Sequence, residues 1–146
     1  VGDEQSGMGQ GFDFIGFEFI KRKSPNSGRS TIYIFPSLSS QKNIRQRIRG
    51  IANRRAPIKP DAFIRKMNSV VRGWTNYHCH GNAAKSFRKL QEFINNRTRR
   101  YLTYRRKGHG FGFDRYPTEK LYKMGLIQIH SGLVPNKRKS TVHASQ

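Results

Sequence analysis

Between Asp61 and His80 the apolar residues Phe63, Met67, Val70, Trp74 and Tyr77 recur four, three, four and three apart. That rhythm marks one face of an α-helix, and Ile64 and Val71 widen the stripe on the same side. The opposite face holds Arg65, Asn68, Ser69, Arg72 and Asn76, with Lys66 on its flank and no carboxylate after Asp61. One side must be covered by other elements, while the other suits a polyanion. Gly73 stands out, because glycine inside a helix costs about 1 kcal/mol relative to alanine. A residue this small beside Trp74 admits either a second helix backbone or a ligand strand, and both readings stay open.

Around this helix the 146 residues read as a mainly α chain. Residues 1–11 are small and polar, a flexible lead-in. Residues 12–36 form a β-hairpin. Phe12, Phe14 and, after a break at Gly16, Phe17, Phe19 and Ile20 make an aromatic strand; a basic turn over Lys21–Gly28 follows, then the β-prone run Thr31–Phe35. Two strands are marginal in water, so the hairpin must lean on helices or on a sheet outside this chain. Ser37–Ser40 offer helix caps, and Ile44, Ile48 and Ile51 mark the inner face of a first helix that Pro57 and Pro60 end. A third helix runs from about Ala83 to Tyr104, with Phe87, Leu90, Ile94 and Tyr101 inward and Lys85, Arg88, Lys89, Arg97, Arg99 and Arg100 outward. A glycine–aromatic loop, Gly108–Phe113, leads to a short helix near Pro117–Met124 closed by Gly125. A small helical and extended cap completes a unit spanning 37–133, and residues 134–146 read as a disordered basic tail.

Charge decides the class of partner. The formal net charge is +21, and from Lys42 to Lys107 nineteen Lys and Arg face two acids, Asp61 and Glu92. Such density on three helices points to nucleic acid, with Arg45, Arg49, Arg65, Asn68, Arg72, Asn76, Arg97, Arg100, Tyr104 and Arg105 as the RNA-binding candidates. Arginines grip phosphates; asparagines and tyrosines bond sugars or stack on bases. No apolar run approaches the ~20 residues that span a bilayer, so a membrane partner is not expected. The single Cys79 excludes an intrachain disulfide framework and fits a reducing, cytoplasmic setting. Val1 is not an initiator Met, and we expect a chain cut from something longer.

Catalytic groups are scarce. The eight carboxylates form no pair on one helical face, so no catalytic residue, metal site or cofactor is assigned. His78-Cys79-His80 has metal-ligand residue types, but neighbours on a helix point about 100° apart and a second thiolate is missing. A DNA-binding or HNH-type nuclease-associated module, with His78, His80 and His109 serving a metal, is the alternative; a ribosomal-type RNA-binding protein is a third reading.

Three segments carry a resemblance. Phe12-Asp13-Phe14-Ile15-Gly16-Phe17 resembles the F-x-F-L-G-F segment closing the palm of group II intron-encoded reverse transcriptases. Val70-Val71-Arg72-Gly73-Trp74-Thr75-Asn76-Tyr77 is similar to the L-x-G-W-x-x-Y signature of their maturase (X) domain, and Arg115-Tyr116, Leu121-Tyr122 and Gly125-Leu126 resemble that domain's end. The resemblance implies a primer-grip-like hairpin, with Phe14, Ile15, Gly16 and Phe17 near the primer end, followed by a three-helix thumb whose maturase signature is Gly73, Trp74 and Tyr77. It implies structured intron RNA and an RNA/DNA template–primer duplex as partners, and fingers and palm upstream in a parent RNA-directed DNA polymerase. The Tyr-Ala-Asp-Asp polymerase motif is absent from these residues, so no polymerase activity is expected of them alone.

Overall fold

The computed structural model describes residues 11–53 and 58–129. Of the expected lead-in over 1–11, residues 1–10 lie outside them and Gly11 begins a strand; the basic tail and the helix-breaking region at Arg54, Arg55 and Pro57 also lie outside. The described chain runs β1 (Gly11–Phe14), β2 (Phe17–Lys23), β3 (Ser30–Pro36), α1 (Leu38–Ile51), α2 (Pro60–His78), α3 (Ala84–Arg105) and α4 (Thr118–Lys123). The mainly α architecture behind an N-terminal antiparallel hairpin is the one the sequence predicts. In one respect it differs: the aromatic run read as a single strand folds back on itself. Phe14 pairs with Phe17 and Gly11 with Ile20, which makes a three-stranded meander in the order β1-β2-β3.

The reversal is a two-residue turn in which both central residues, Ile15 (φ 54°) and Gly16 (φ 84°), are left-handed. Positive φ at both positions matches the twist of a hairpin, but it is unfavourable for a β-branched side chain. Two outside grips hold the turn. Ser37 N–H donates to Gly16 O at 2.9 Å, and Tyr77 Oη donates to Ile15 O at 2.7 Å. At the other edge Asn82 engages β3: its N–H donates to Ile34 O at 2.6 Å, and its Oδ1 accepts from Ile34 N at 3.1 Å. Gly81 permits this approach, since a Cβ there would stand 2.6 Å from Ile34 O.

Ser37 caps α1 by accepting from Ser40 N–H, and Pro60 begins α2 with Asp61 in its first turn. The core joins Ile44 and Ile48 of α1 to Phe63, Ile64, Met67 and Val71 of α2 and to Leu90, Ile94, Tyr101 and Leu102 of α3. Phe63 and Tyr101 stack at 3.9 Å near one end of the bundle, while Trp74 meets Phe87 at 6.0 Å near the other. Helices α2 and α3 are therefore antiparallel, and the loop after α3 lies at the end away from the sheet. The cap, with Tyr116, Leu121 and Leu126 buried, closes the core.

The buried seam of α2 is rotated from the expected stripe. It runs through Ile64, Met67, Val71, Thr75 and His78, with Phe63 beside it; Val70 and Trp74 flank it half-buried, and Tyr77 is 46% exposed. Burial of Thr75 is matched by a bond from its Oγ1 to Arg72 O, and that of His78 by one bond only, between its Nε2 and Ser40 Oγ.

Replacing Ile15 by Asn, which tolerates the left-handed region, should stabilise the chain by about 1 kcal/mol and raise its melting temperature by about 2–4 °C. Thermal denaturation followed by circular dichroism checks this; an unchanged or lowered midpoint would mean the turn is not strained.

Candidate nucleic-acid interface

The side chains expected to meet RNA fall into three groups. The first is a cluster between α1 and α3. The guanidinium carbons of Arg45, Arg49 and Arg97 stand 5.7, 5.3 and 5.3 Å from the centre of the half-buried Phe93 ring. Helical spacing sets Arg45 and Arg49 one turn apart on α1, and Arg97 one turn beyond Phe93 on α3. Helix α1 carries no carboxylate and α3 only Glu92. Attraction between each cation and the ring, roughly 0.5–1 kcal/mol at exposed sites, offsets part of their mutual repulsion. A guanidinium is a forked donor whose geometry matches the oxygens of a phosphate.

The second group is the solvent face of α2, where Arg65, Ser69, Arg72, Gly73 and Asn76 are all exposed. Nothing lies within 4 Å of a Cβ built at Gly73, so among the described residues no helix packs there. Arg65 bonds Asp61 at 3.2 Å, an exposed i,i+4 pair of small energetic weight. The backbone N–H of Ala62 is the first cause holding the Asp61 carboxyl below its usual range. The third group lies at the end of α3: Arg100, Tyr104 and Arg105 are exposed, and Arg105 Nη1 donates to Ile58 O at 2.8 Å.

Asn68 belongs to a different task. Its Nδ2 donates to Gly125 O at 2.7 Å and its Oδ1 accepts from Ile127 N at 2.8 Å. Gln91 of α3 takes up the next groups in the same way, donating to Ile127 O at 3.1 Å and accepting from Ile129 N at 2.5 Å. These two amides imitate a neighbouring strand and strap the 125–129 segment across the bundle. With both ends of its amide committed, Asn68 is a fastener rather than part of the open face. Helical spacing places Arg99 outward as well, yet it is 2% exposed. Its guanidinium donates to Tyr116 O, Asn96 Oδ1 and Thr118 Oγ1 at 2.7, 2.8 and 3.1 Å and lies 4.3 Å over Phe113. Burial lowers its proton affinity, and neutral acceptors replace the water it has given up.

Two of the signature residues, Trp74 and Tyr77, serve the corner where the sheet meets the helices. Trp74 Nε1 and His78 Nε2 both bond Ser40 Oγ at 3.0 Å, and Tyr77 holds the Ile15 carbonyl. Phe17 packs on His78 at 4.7 Å and on Tyr77 at 4.9 Å. His78 is buried and its Nδ1 has no partner, so charging the ring would strand an N–H as well as a cation; burial holds its pKa down at about 4. Sequence reasoning saw the residue types here but had no signal for the Ser40 hub. Residues 41–116 match the group II intron, maturase-specific domain family, just over half of the chain and all of α2 and α3. The chain belongs to that family. The match covers the maturase-specific domain, which is not the catalytic palm of a polymerase. No individual curated protein matches the chain. Within this maturase domain no three His, Cys, Asp or Glu side chains among the described residues are grouped to hold a metal ion, and no described helix is long and apolar enough to cross a membrane.

Two outcomes follow. Asn68→Ala should destabilise the domain by about 1–2 kcal/mol, since it strands Gly125 O and Ile127 N, whereas Arg72→Gln should change stability by less than about 0.5 kcal/mol; urea unfolding of the two variants separates these cases. The His78 pKa is about 6.5 when unfolded and about 4 when folded. Between those values the unfolded chain binds the extra proton, so this group's contribution to stability falls as the solution is acidified, by about 1.4 kcal/mol per pH unit. Melting at several pH values should show that slope in the parent chain, and His78→Gln should flatten it.

Proposed function

We propose that this maturase domain grips structured intron RNA and a template–primer duplex through its basic helices, as the thumb part of a group II intron reverse transcriptase. The observation that carries the reading is the gathering of Arg45, Arg49 and Arg97 around Phe93 inside the family-matched region. The exposed face of α2 supports it, with Arg65, Arg72 and Asn76 lined along one side and open space at Gly73. The Phe14–Phe17 turn, clasped by Ser37 and Tyr77, supports a primer-grip role for the hairpin. Its assisted reactions are splicing and, with fingers and palm supplied by the parent protein, reverse transcription. The chain itself would act by binding and positioning. A single unbridged cysteine, Cys79, favours work in the cytoplasm.

The test compares two double variants of α1 that remove the same charge. Arg45→Gln with Arg49→Gln dismantles the cluster; Lys42→Gln with Arg47→Gln removes two exposed cations from the same helix. Binding to intron RNA across a range of salt concentrations should weaken more for the cluster variant. Its salt slope should flatten by about 0.7–0.9 for each phosphate no longer held. Equal weakening in the two variants would mean that bulk charge alone does the binding.

A further inference from the structure

The loop joining α3 to the cap holds two aromatic rings in solvent. Phe111 is 65% exposed and Phe113 55%. Backbone hydrogen bonds fix the loop that carries them. Lys107 N–H donates to Tyr104 O and Gly108 N–H to Thr103 O, both at 2.9 Å, and Tyr116 N–H closes the far side on Gly112 O at 2.9 Å. Three left-handed residues, Lys107 (φ 55°), Gly110 (φ 79°) and Gly112 (φ 76°), set its path. Gly112 lies so close to the helix that a Cβ would stand 1.9 Å from Thr103 Oγ1. Thr103 is itself buried and fixed by donating to Arg99 O at 2.8 Å. Behind Phe113 the Arg99 guanidinium covers one ring face at 4.3 Å. Lys107 takes the left-handed position of a helix C-cap that ends α3, and the glycine path beyond it leaves two neighbouring phenylalanine rings on the surface, a feature that marks a contact site.

The surroundings say which ligand. Residues 104–116 carry four cations, Arg105, Arg106, Lys107 and Arg115, against the single acid Asp114. Arg105, Arg106, Lys107 and Arg115 are exposed. A partner here must offer flat apolar faces and negative charge together, which is the chemistry of unpaired nucleotides. The two rings are 6.1 Å apart and inclined by 45°, so they cannot sandwich one base between parallel faces. Phe111 is the more open of the two. We propose that Phe111 is a stacking platform for an unpaired base, with the cations of residues 105–107 and 115 holding the adjoining phosphates. This extends the RNA-binding reading above and rests on it.

The experiment measures binding of a short oligouridylate and of a short RNA duplex to the full chain and to Phe111→Ala. Removing one stacked base should weaken oligouridylate binding roughly 5- to 100-fold, with the salt slope unchanged and duplex binding at the parental value. Phe111→Trp should restore the affinity, and its added indole fluorescence should be quenched by oligouridylate but not by heparin, a polyanion without bases. Parental oligouridylate affinity in Phe111→Ala, or equal weakening on both RNAs, would overturn the platform and leave the basic interface standing. If the parent chain bound neither RNA, the reading on which the platform rests would fall with it.

Discussion

A single hydroxyl, that of Ser40, ties α1 to α2 at the corner where the sheet docks. It sits in the first turn of α1 and meets both Trp74 Nε1 and His78 Nε2 of α2. The strand meander has little core of its own, and a small sheet is barely stable unless packed on something. Its position is fixed at the same corner: the Gly16 carbonyl takes Ser37 N–H, the Ile15 carbonyl takes Tyr77 Oη, and Phe17 fills the space against His78. Every one of these contacts is polar or aromatic and demands a specific direction. The junction therefore fixes an orientation between the sheet and the helical bundle as well as a contact.

The rest of the architecture has to accommodate a strongly positive chain. Burying cations would carry a heavy desolvation penalty, and among the described residues the fold does so at Arg99, where three oxygen acceptors and an aromatic face receive the guanidinium. Several other arginines lean on neutral partners: Arg105 on a carbonyl, Arg22 near Tyr33 and Phe35, and three around Phe93, while Arg65 pairs with Asp61. Aromatic rings and carbonyls moderate repulsion without cancelling charge. Carboxylates would cancel it, and a surface so neutralised would lose its attraction for a polyanion.

Apolar periodicity makes the three long helices legible in the sequence, because each has a stripe to bury; the short cap helix is marked instead by Pro117 before it and Gly125 after it. Polar residues inside that stripe are not legible. Thr75 and His78 occupy the seam of α2 where periodicity puts Trp74 and Tyr77, since hydropathy cannot register a partner such as Ser40 that is distant in sequence. The same limit applies to Asn68 and Arg99. Both occupy positions with the composition of a solvated face, and only the returning C-terminal segment gives them acceptors and donors. The β1–β2 reversal is hidden for another reason: Ile at the first turn position disguises a sharp turn as continuous strand. By contrast, the grouping of Arg45, Arg49 and Arg97 needs only correct helix assignments, plus a packing angle that the sequence does not specify.

Length supplies the last constraint. Helix α2 has 19 residues and so spans about 28 Å. The strained Ile15–Gly16 turn lies at its C-terminal end, and the clamped Phe111 loop, which follows the antiparallel α3, lies near its N-terminal end. Exposed aromatics thus stand at both ends of the bundle, while Arg65 and Arg72 occupy the exposed face between them. The arrangement follows from folding two antiparallel helices with rigid turns at opposite ends, and it needs no movement within the bundle.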